Sequence, residues 1–137
     1  VDTSAPNVTA VTPVDGYNSS SSVVYFNFSV SDNLASSLLC NLSVDGVFVN
    51  GSFVGSGSYA VLSYGVADGS GHLWNVSCWD NASNEGVSST RSFTVDTAPP
   101  VVTPVSPADG VWTSDNLSVL SVNVSDNVAS VLSCELF

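Results

Sequence analysis

Apolar and polar residues alternate with a period of two through much of this chain. Val24, Phe26, Phe28 and Val30 are interleaved with Tyr25, Asn27 and Ser29, and Leu38, Cys40, Leu42 and Val44 with Leu39, Asn41 and Ser43. Trp74, Val76 and Cys78 alternate in the same way with Asn75 and Ser77. A β-strand turns successive side chains to opposite faces, so each run predicts a strand with one apolar and one polar face. Further strands are predicted at residues 8 to 12, 47 to 54, 59 to 64 and 91 to 95. Between them lie the turn signals Asp15-Gly16, Asp45-Gly46, Gly55-Ser56-Gly57 and Asp68-Gly69. No segment shows the helical period.

The chain also repeats itself. VDTSAPNVTAVTPVDG from Val1 returns as VDTAPPVVTPVSPADG from Val95, and FSVSDNLASSLLCNL returns as VNVSDNVASVLSCEL, both at an offset of 94. Residues 1 to 43 align without a gap to 95 to 137 with 20 identities, among them Asp32 with Asp126 and Cys40 with Cys134. The unit is therefore 94 residues, and the expected division is a complete domain at 1–94 and the first part of a second, strands A to C, at 95–137. Seven short strands per unit, with no helix, predict an all-β, immunoglobulin-like sandwich of antiparallel sheets. Ending a copy in mid-strand at Phe137 suggests a window on a longer tandem array, with Val1 as an interior or processed start. Pro6, Pro13, Pro99, Pro100, Pro104 and Pro107 are expected to flank the first strand of each copy, stiffening the joint and protecting an edge.

Composition narrows the function. Of 137 residues, 27 are Ser, 8 Thr and 12 Asn, so about a third are small and uncharged but polar, while Val alone supplies 25. Lys, Met, Ile and Gln are absent, Arg91 is the only strong base, and the net charge is -11. Binding to nucleic acid needs Lys and Arg in number and is excluded as an expectation. A hydrophobic share of 44% is ample for a core, which argues against disorder. No apolar run approaches the eighteen or so residues of a membrane span, and no signal peptide is recognisable.

Cys40 and Cys78 fall on inward positions of strands C and F, which are neighbours in such sandwiches, so a disulfide is expected, with two buried free thiols as the alternative. Cys134 repeats Cys40, and its partner would fall at position 172, which leaves it unpaired here. A disulfide framework places a protein outside the cytoplasm.

Nine N-x-S/T sequons occur, at Asn7, Asn18, Asn27, Asn41, Asn50, Asn75, Asn81, Asn116 and Asn123. Twelve Asn combined at random with the Ser and Thr present would give about three. Part of the excess follows from polar faces rich in Asn and Ser, but the alternation also points Asn27, Asn41, Asn75 and Asn123 outward, where a glycan could be attached. Acidic and amide residues gather near strand ends. Asp32 and Asn33 after strand B, and Asp80, Asn81, Asn84 and Glu85 after strand F, should share the end where the chain enters beside Asp2. At the joint between copies, Asp96 should approach Asp126 and Asn127 together with the Asp15-Gly16 and Asp68-Gly69 turns. Oxygen-only clusters suit Ca2+, making an interdomain calcium the one cofactor to consider, with ordinary turn geometry the competing explanation.

Enzymatic chemistry has little to stand on. His72 is the only histidine and follows a Gly-rich turn with no triad context, and Glu85 and Glu135 are the only glutamates. The absence of Lys and Gln excludes Lys-Asn isopeptide and Thr-Gln ester cross-links. Tyr25, Trp79 and Trp112 are candidates for outward aromatics that bind sugars or proteins, against partial cover by neighbouring loops.

The segments VDTSAP, SVSDN, LLCNLSVDG, DGSGHLWNVSCWDNASNEG and SSTRSFTVDTAPP resemble the immunoglobulin-like repeats strung in tandem through large archaeal and bacterial surface proteins, especially archaeal versions with cysteines on strands C and F. The resemblance implies a non-catalytic glycoprotein module of the cell surface, in an adhesin, S-layer-associated protein or surface filament. Its implied partners are neighbouring copies of the same repeat, surface glycans or other cells, and it implies neither nucleic acid nor a membrane span. The competing reading is a carbohydrate-binding or spacer module appended to a secreted enzyme. Fold alone does not fix the role.

Overall fold

A computed structural model describes residues 1–116 and 118–137. The described residues contain strands and no helix. The strands are β1 (Asn7–Thr12), β2 (Tyr17–Ser19), β3 (Val23–Ser31), β4 (Ser37–Val44), β5 (Val47–Gly55), β6 (Ser58–Gly65), β7 (Gly69–Trp79), β8 (Glu85–Val87), β9 (Arg91–Val95), β10 (Val101–Ser106) and β11 (Ser121–Ser125). The chain divides into two compact units, Val1–Thr97 and Ala98–Phe137.

The first unit is an immunoglobulin-like β-sandwich. One sheet has the order β1-β3-β6; the other runs β2-β9-β7-β4-β5, with β8 paired to β7. All pairings are antiparallel except β2 with β9, which is parallel. All seven expected strands form. The two short strands β2 and β8 were not anticipated, because three residues are too few to display a period.

The period-two reading fixes which side chains meet. Val24, Phe26, Phe28, Val30, Leu38, Cys40, Leu42, Val44, Trp74, Val76 and Cys78 are each at most 4% exposed. Phe26, on β3, packs its ring 5.1 Å from that of Trp74 on β7 and 5.6 Å from that of Phe93 on β9, so one residue joins the two sheets through tilted and edge-on contacts. Cys40 lies directly opposite Cys78 in the β4–β7 ladder, and the two form a disulfide with a Cα–Cα distance of 4.1 Å. It ties adjacent strands of one sheet, closing a loop of 38 residues' separation. In the chain-entropy description such a closure stabilises by about 4 kcal/mol.

Gly86, on β8, shows why that short strand carries a glycine. A Cβ there would overlap the carbonyl of Pro6, so only glycine lets β8 pass beside the segment leading into β1.

The second unit reproduces the start of the first. In β1–β3, Asn7 pairs with Ser31, Val8 with Val30 and Ala10 with Phe28, and the register shifts between Ala10 and Thr12. In β10–β11, Val101 pairs with Ser125, Val102 with Val124 and Pro104 with Val122, with the shift between Pro104 and Ser106. Every one of these positions is displaced by 94. Pro104 therefore lies inside β10, at the irregularity, whereas the other five prolines flank the first strand of their copy as expected. A proline is tolerated there because the ladder is already interrupted.

Two details differ from the expected division. The units part after Thr97, not after residue 94, because Asp96 N donates to Ser19 O and the Thr97 backbone and hydroxyl both donate to Asp68 Oδ1, holding this tail on the first unit. Residues 132 to 137, expected as strand C, form no ladder. Their counterpart β4 is paired on both sides, by β5 and β7, and residues 98 to 137 contain no counterpart of either. For the same reason Val122 and Val124 are 50% and 39% exposed, while their counterparts Phe28 and Val30 are buried.

Phe26→Ala should lower the unfolding free energy by about 3–5 kcal/mol, as deletion of a fully enclosed aromatic does. Tyr25→Ser, one position away on the outward face, should change it by less than about 0.5 kcal/mol. Urea unfolding of both variants checks the assignment of faces.

Candidate functional site

The described carboxylates are concentrated in turns at the strand ends. At the end where the chain enters, three segments converge. Asp2 precedes β1, Asp32 follows β3 and Asp80 follows β7, and one carboxylate oxygen from each lies within 4.8 Å of the other two. This is the gathering expected of Asp2 with the loops after strands B and F.

Each carboxylate has local work as well. Asp2 Oδ1 accepts from the Ser4 backbone. Asp32 Oδ2 accepts from the backbones of Leu34 (2.9 Å) and Ala35 (2.8 Å), closing the turn into β4. Its Oδ1 is shut off from solvent and has no hydrogen-bond partner. Asp80 is buried, and its Oδ1 accepts from the backbones of Ala82 and Asn84, both at 2.8 Å. Its Oδ2 accepts from Asn84 Nδ2 at 2.7 Å, and the same amide donates to the Asp2 carbonyl. Burial acts to raise the Asp80 pKa, but the bonds from Asn84, Ala82 and Ser83 outweigh it and hold the carboxyl below its ordinary value. Beside the three lies a cavity of about 270 Å3 lined by Asp2, Leu34, Ala35, Asn81 and Ala82.

The two basic side chains of the chain are both engaged away from the three carboxylates. Arg91 is spent elsewhere, its Nη1 donating to the carbonyls of Val11 (2.7 Å) and Pro13 (3.1 Å) at the end of β1. His72 is paired with Asp45, Nδ1 to Oδ2 at 2.8 Å, and its ring lies 5.3 Å from that of Phe93. The histidine thus fastens the β4–β5 turn to β7, a bond reinforced by the Leu73 backbone donating to Asp45 Oδ1. The sequence did not announce this pair, since a turn residue and a strand residue 27 apart share no motif.

The joint expected to hold Ca2+ divides between the two units. Asp96 belongs to the first, Asp126 and Asn127 to the second. Asp126 Oδ1 accepts from the backbones of Val128 (2.9 Å) and Ala129 (2.7 Å), repeating 94 residues on the turn made by Asp32. Asp15 and Asp68 serve other turns. Asp15 Oδ1 accepts from the Ser92 backbone and hydroxyl, bonds that hold its carboxyl low, and Asp68 Oδ1 binds Thr97.

The nine sequon asparagines fall into two groups. Asn7, Asn18, Asn81, Asn116 and Asn123 are exposed; Asn27, Asn41, Asn50 and Asn75 are half-buried. In the second group, Asn50 Nδ2 donates to Ser63 O and Asn75 Nδ2 to Thr90 Oγ1, while Asn27 Oδ1 is enclosed. Outward pointing is thus not the same as accessible, because neighbouring strands flank a side chain in mid-sheet. Among the aromatics, Tyr25 is 65% and Trp112 99% exposed, while Trp79 is half-buried. Tyr59, 71% exposed, was not singled out from the sequence.

Cys134 is an exposed free thiol. No helix among the described residues is long and apolar enough to cross a membrane. Fold and disulfide together define an immunoglobulin-like domain with a bond between adjacent strands of one sheet. No family model matches the chain, and no curated protein matches it.

Asp15, Asp45 and Asp80 all have folded pKa values below the ordinary 3.8; for Asp45, burial opposes the shift and bonds from His72 and Leu73 prevail. A depressed folded value means that the unfolded chain takes up protons first as pH falls. The stability these groups contribute should therefore be complete above about pH 5 and lost as pH drops through 3.8 to the lower folded values. Melting temperature measured against pH should fall in that window, and Asp80→Asn should flatten the profile.

Proposed function

We propose that the chain is a structural or adhesive repeat module of an extracellular surface fibre, with no catalytic role. The observation that carries this reading is the repeat itself: β10–β11 follows β1–β3 residue for residue at an offset of 94, including the irregularity in the ladder. A domain copied with its linker and prolines is a unit for extending a chain. The disulfide supports an oxidising, extracellular setting, since such bonds seldom persist in the cytosol. The turns that gather acids spend their oxygens on backbone N–H groups, and the lone histidine holds a turn, which leaves little for catalysis. Neighbouring copies in the same chain or fibre are the partners this reading requires, with glycans or other cells at the outer surface.

A second reading is favoured by one feature. A groove of about 540 Å3 beside β2 and β3 is lined by Tyr17, Tyr25, Pro13, Ser19 and Ser21 among others, and both tyrosines are exposed. Aromatic faces next to hydroxyls fit a sugar, as in a carbohydrate-binding module attached to a secreted enzyme.

The gene separates the two. A fibre requires further copies at 94-residue spacing around this segment, and antibodies against the chain should label intact cells. A neighbouring domain rich in His and Glu, with no further copies, would overturn the fibre.

Glycan occupancy is expected to follow accessibility. Mass spectrometry of the native protein before and after deglycosylation should place sugars at Asn7, Asn18 and Asn81 ahead of Asn27, Asn41, Asn50 and Asn75. An unshifted mass would remove glycosylation from the proposal.

A further inference from the structure

We propose that the side of the first unit formed by β5 and β6 binds a second copy of this chain, so that two sandwiches lie edge to edge. The contact is lateral. It goes beyond the reading of copies strung end to end and does not rest on it.

Three observations carry it. First, the strand order leaves β1 and β6 at the edges of one sheet and β2 and β5 at the edges of the other. β1 is flanked by Pro6 and Pro13, and β2 is only three residues long, both of which keep an edge from pairing with strangers. β5 and β6 run for nine and eight residues and hold neither a proline nor a charged residue. They also lie side by side, since Asn50 Nδ2 on β5 donates to Ser63 O on β6 at 3.0 Å. Second, large apolar side chains border these edges. Val47, Phe48 and Phe53 of β5 and Tyr59 and Val61 of β6 are each more than half exposed. Apolar side chains gathered on one side of a soluble domain mark a contact surface. Third, charge selects the occupant. Residues 46–67 form the longest stretch without a charged side chain, 22 residues in a chain of net charge -11. Two copies repel each other wherever their carboxylates would meet, and this side lets them touch without that cost. A strongly charged partner would find nothing here to pair with.

The size is adequate. Phe53 stands opposite Leu39 and Tyr59 opposite Ser29 in their ladders, on the outer faces of the two sheets, so apolar side chains flank both edges. Nine residues at about 3.3 Å each give an edge about 30 Å long, and two sheets about 10 Å apart with a side chain on each flank make a strip about 20 Å wide. That is about 600 Å2 per copy and about 1,200 Å2 in all, the lower end of the range for specific interfaces. Of the nine sequons only Asn50 lies on these strands, and its amide is committed to Ser63, so the expected glycans leave this side bare.

Sedimentation equilibrium of the 137-residue chain carrying Cys134→Ser, in which the exposed thiol can no longer cross-link copies, tests the contact. A monomer–dimer equilibrium with a dissociation constant of about 1–100 μM is expected for a strip of this size. Phe53→Lys and Val61→Lys should each weaken it at least about tenfold by setting a charge in the contact, although each lowers the net negative charge. Both side chains are exposed in the monomer, so the melting temperature should stay near that of the parent. Val87→Lys on β8, three strands from β5, should leave dimerisation unchanged. Between about 50 and 500 mM NaCl the dimer should hold or tighten, because salt screens the repulsion between the two chains. The proposal fails if the chain stays monomeric up to about 500 μM, or if Phe53→Lys and Val61→Lys dimerise like the parent. It also fails if salt dissociates the dimer, or if Val124→Lys in the second unit abolishes it while Phe53→Lys does not.

Discussion

The β4–β7 ladder is the constraint on which the rest of the first unit depends. Leu38, Cys40, Leu42 and Val44 face the same interior as Trp74, Val76 and Cys78, and all are buried. The disulfide holds the two strands at one register, where a slip of β7 by one residue would turn Trp74, Val76 and Cys78 to solvent. From this ladder β5 extends on one side and β9 on the other, and Trp74 reaches across to Phe26 to bring down the second sheet. Phe26 also touches Phe93, so a single aromatic cluster locks β3, β7 and β9 together.

The same ladder positions the acidic end. β3 and β7 lie in different sheets, yet both finish at the end where β1 begins. Packing one sheet on the other therefore brings Asp32 and Asp80 together, and Pro6 passing beside Gly86 brings Asp2 to them. The cluster is thus a product of topology and not of any local motif. Its members are 30 and 48 residues apart in sequence, and only the strand order explains their meeting.

This sets what could be read in advance. The inward and outward faces were legible because every long strand alternates strictly, and the pairing of Cys40 with Cys78 followed once both were placed on inward positions of neighbouring strands. The convergence of Asp2, Asp32 and Asp80 was legible in outline, since strand order assigns loops to ends. What escaped were contacts that depend on three-dimensional turn paths: β2 and β8, too short to carry a period; His72 with Asp45; and Arg91 capping Val11 and Pro13. The accessibility of sequons escaped as well. Alternation tells which face an asparagine is on, but not whether a neighbour such as Ser63 or Thr90 engages its amide.

A net charge of -11 with one Arg has a physical consequence beyond excluding nucleic acid. Carboxylates in most proteins are partly answered by Lys and Arg; here they are answered by backbone N–H groups. Asp32, Asp80 and Asp126 each accept at least two backbone hydrogen bonds within a turn, Asp15 accepts the backbone and hydroxyl of Ser92 on β9, and in Asp15 and Asp80 such bonds hold the carboxyl ionised to lower pH. Such bonds satisfy oxygens without cancelling charge. The negative field of the domain therefore persists at neutral pH. Mobile cations in solution, not side chains, are left to balance it. A surface built this way, with hydroxyls and amides in place of charged pairs, couples its ends to the ionic composition of the medium more tightly than a surface laced with salt bridges.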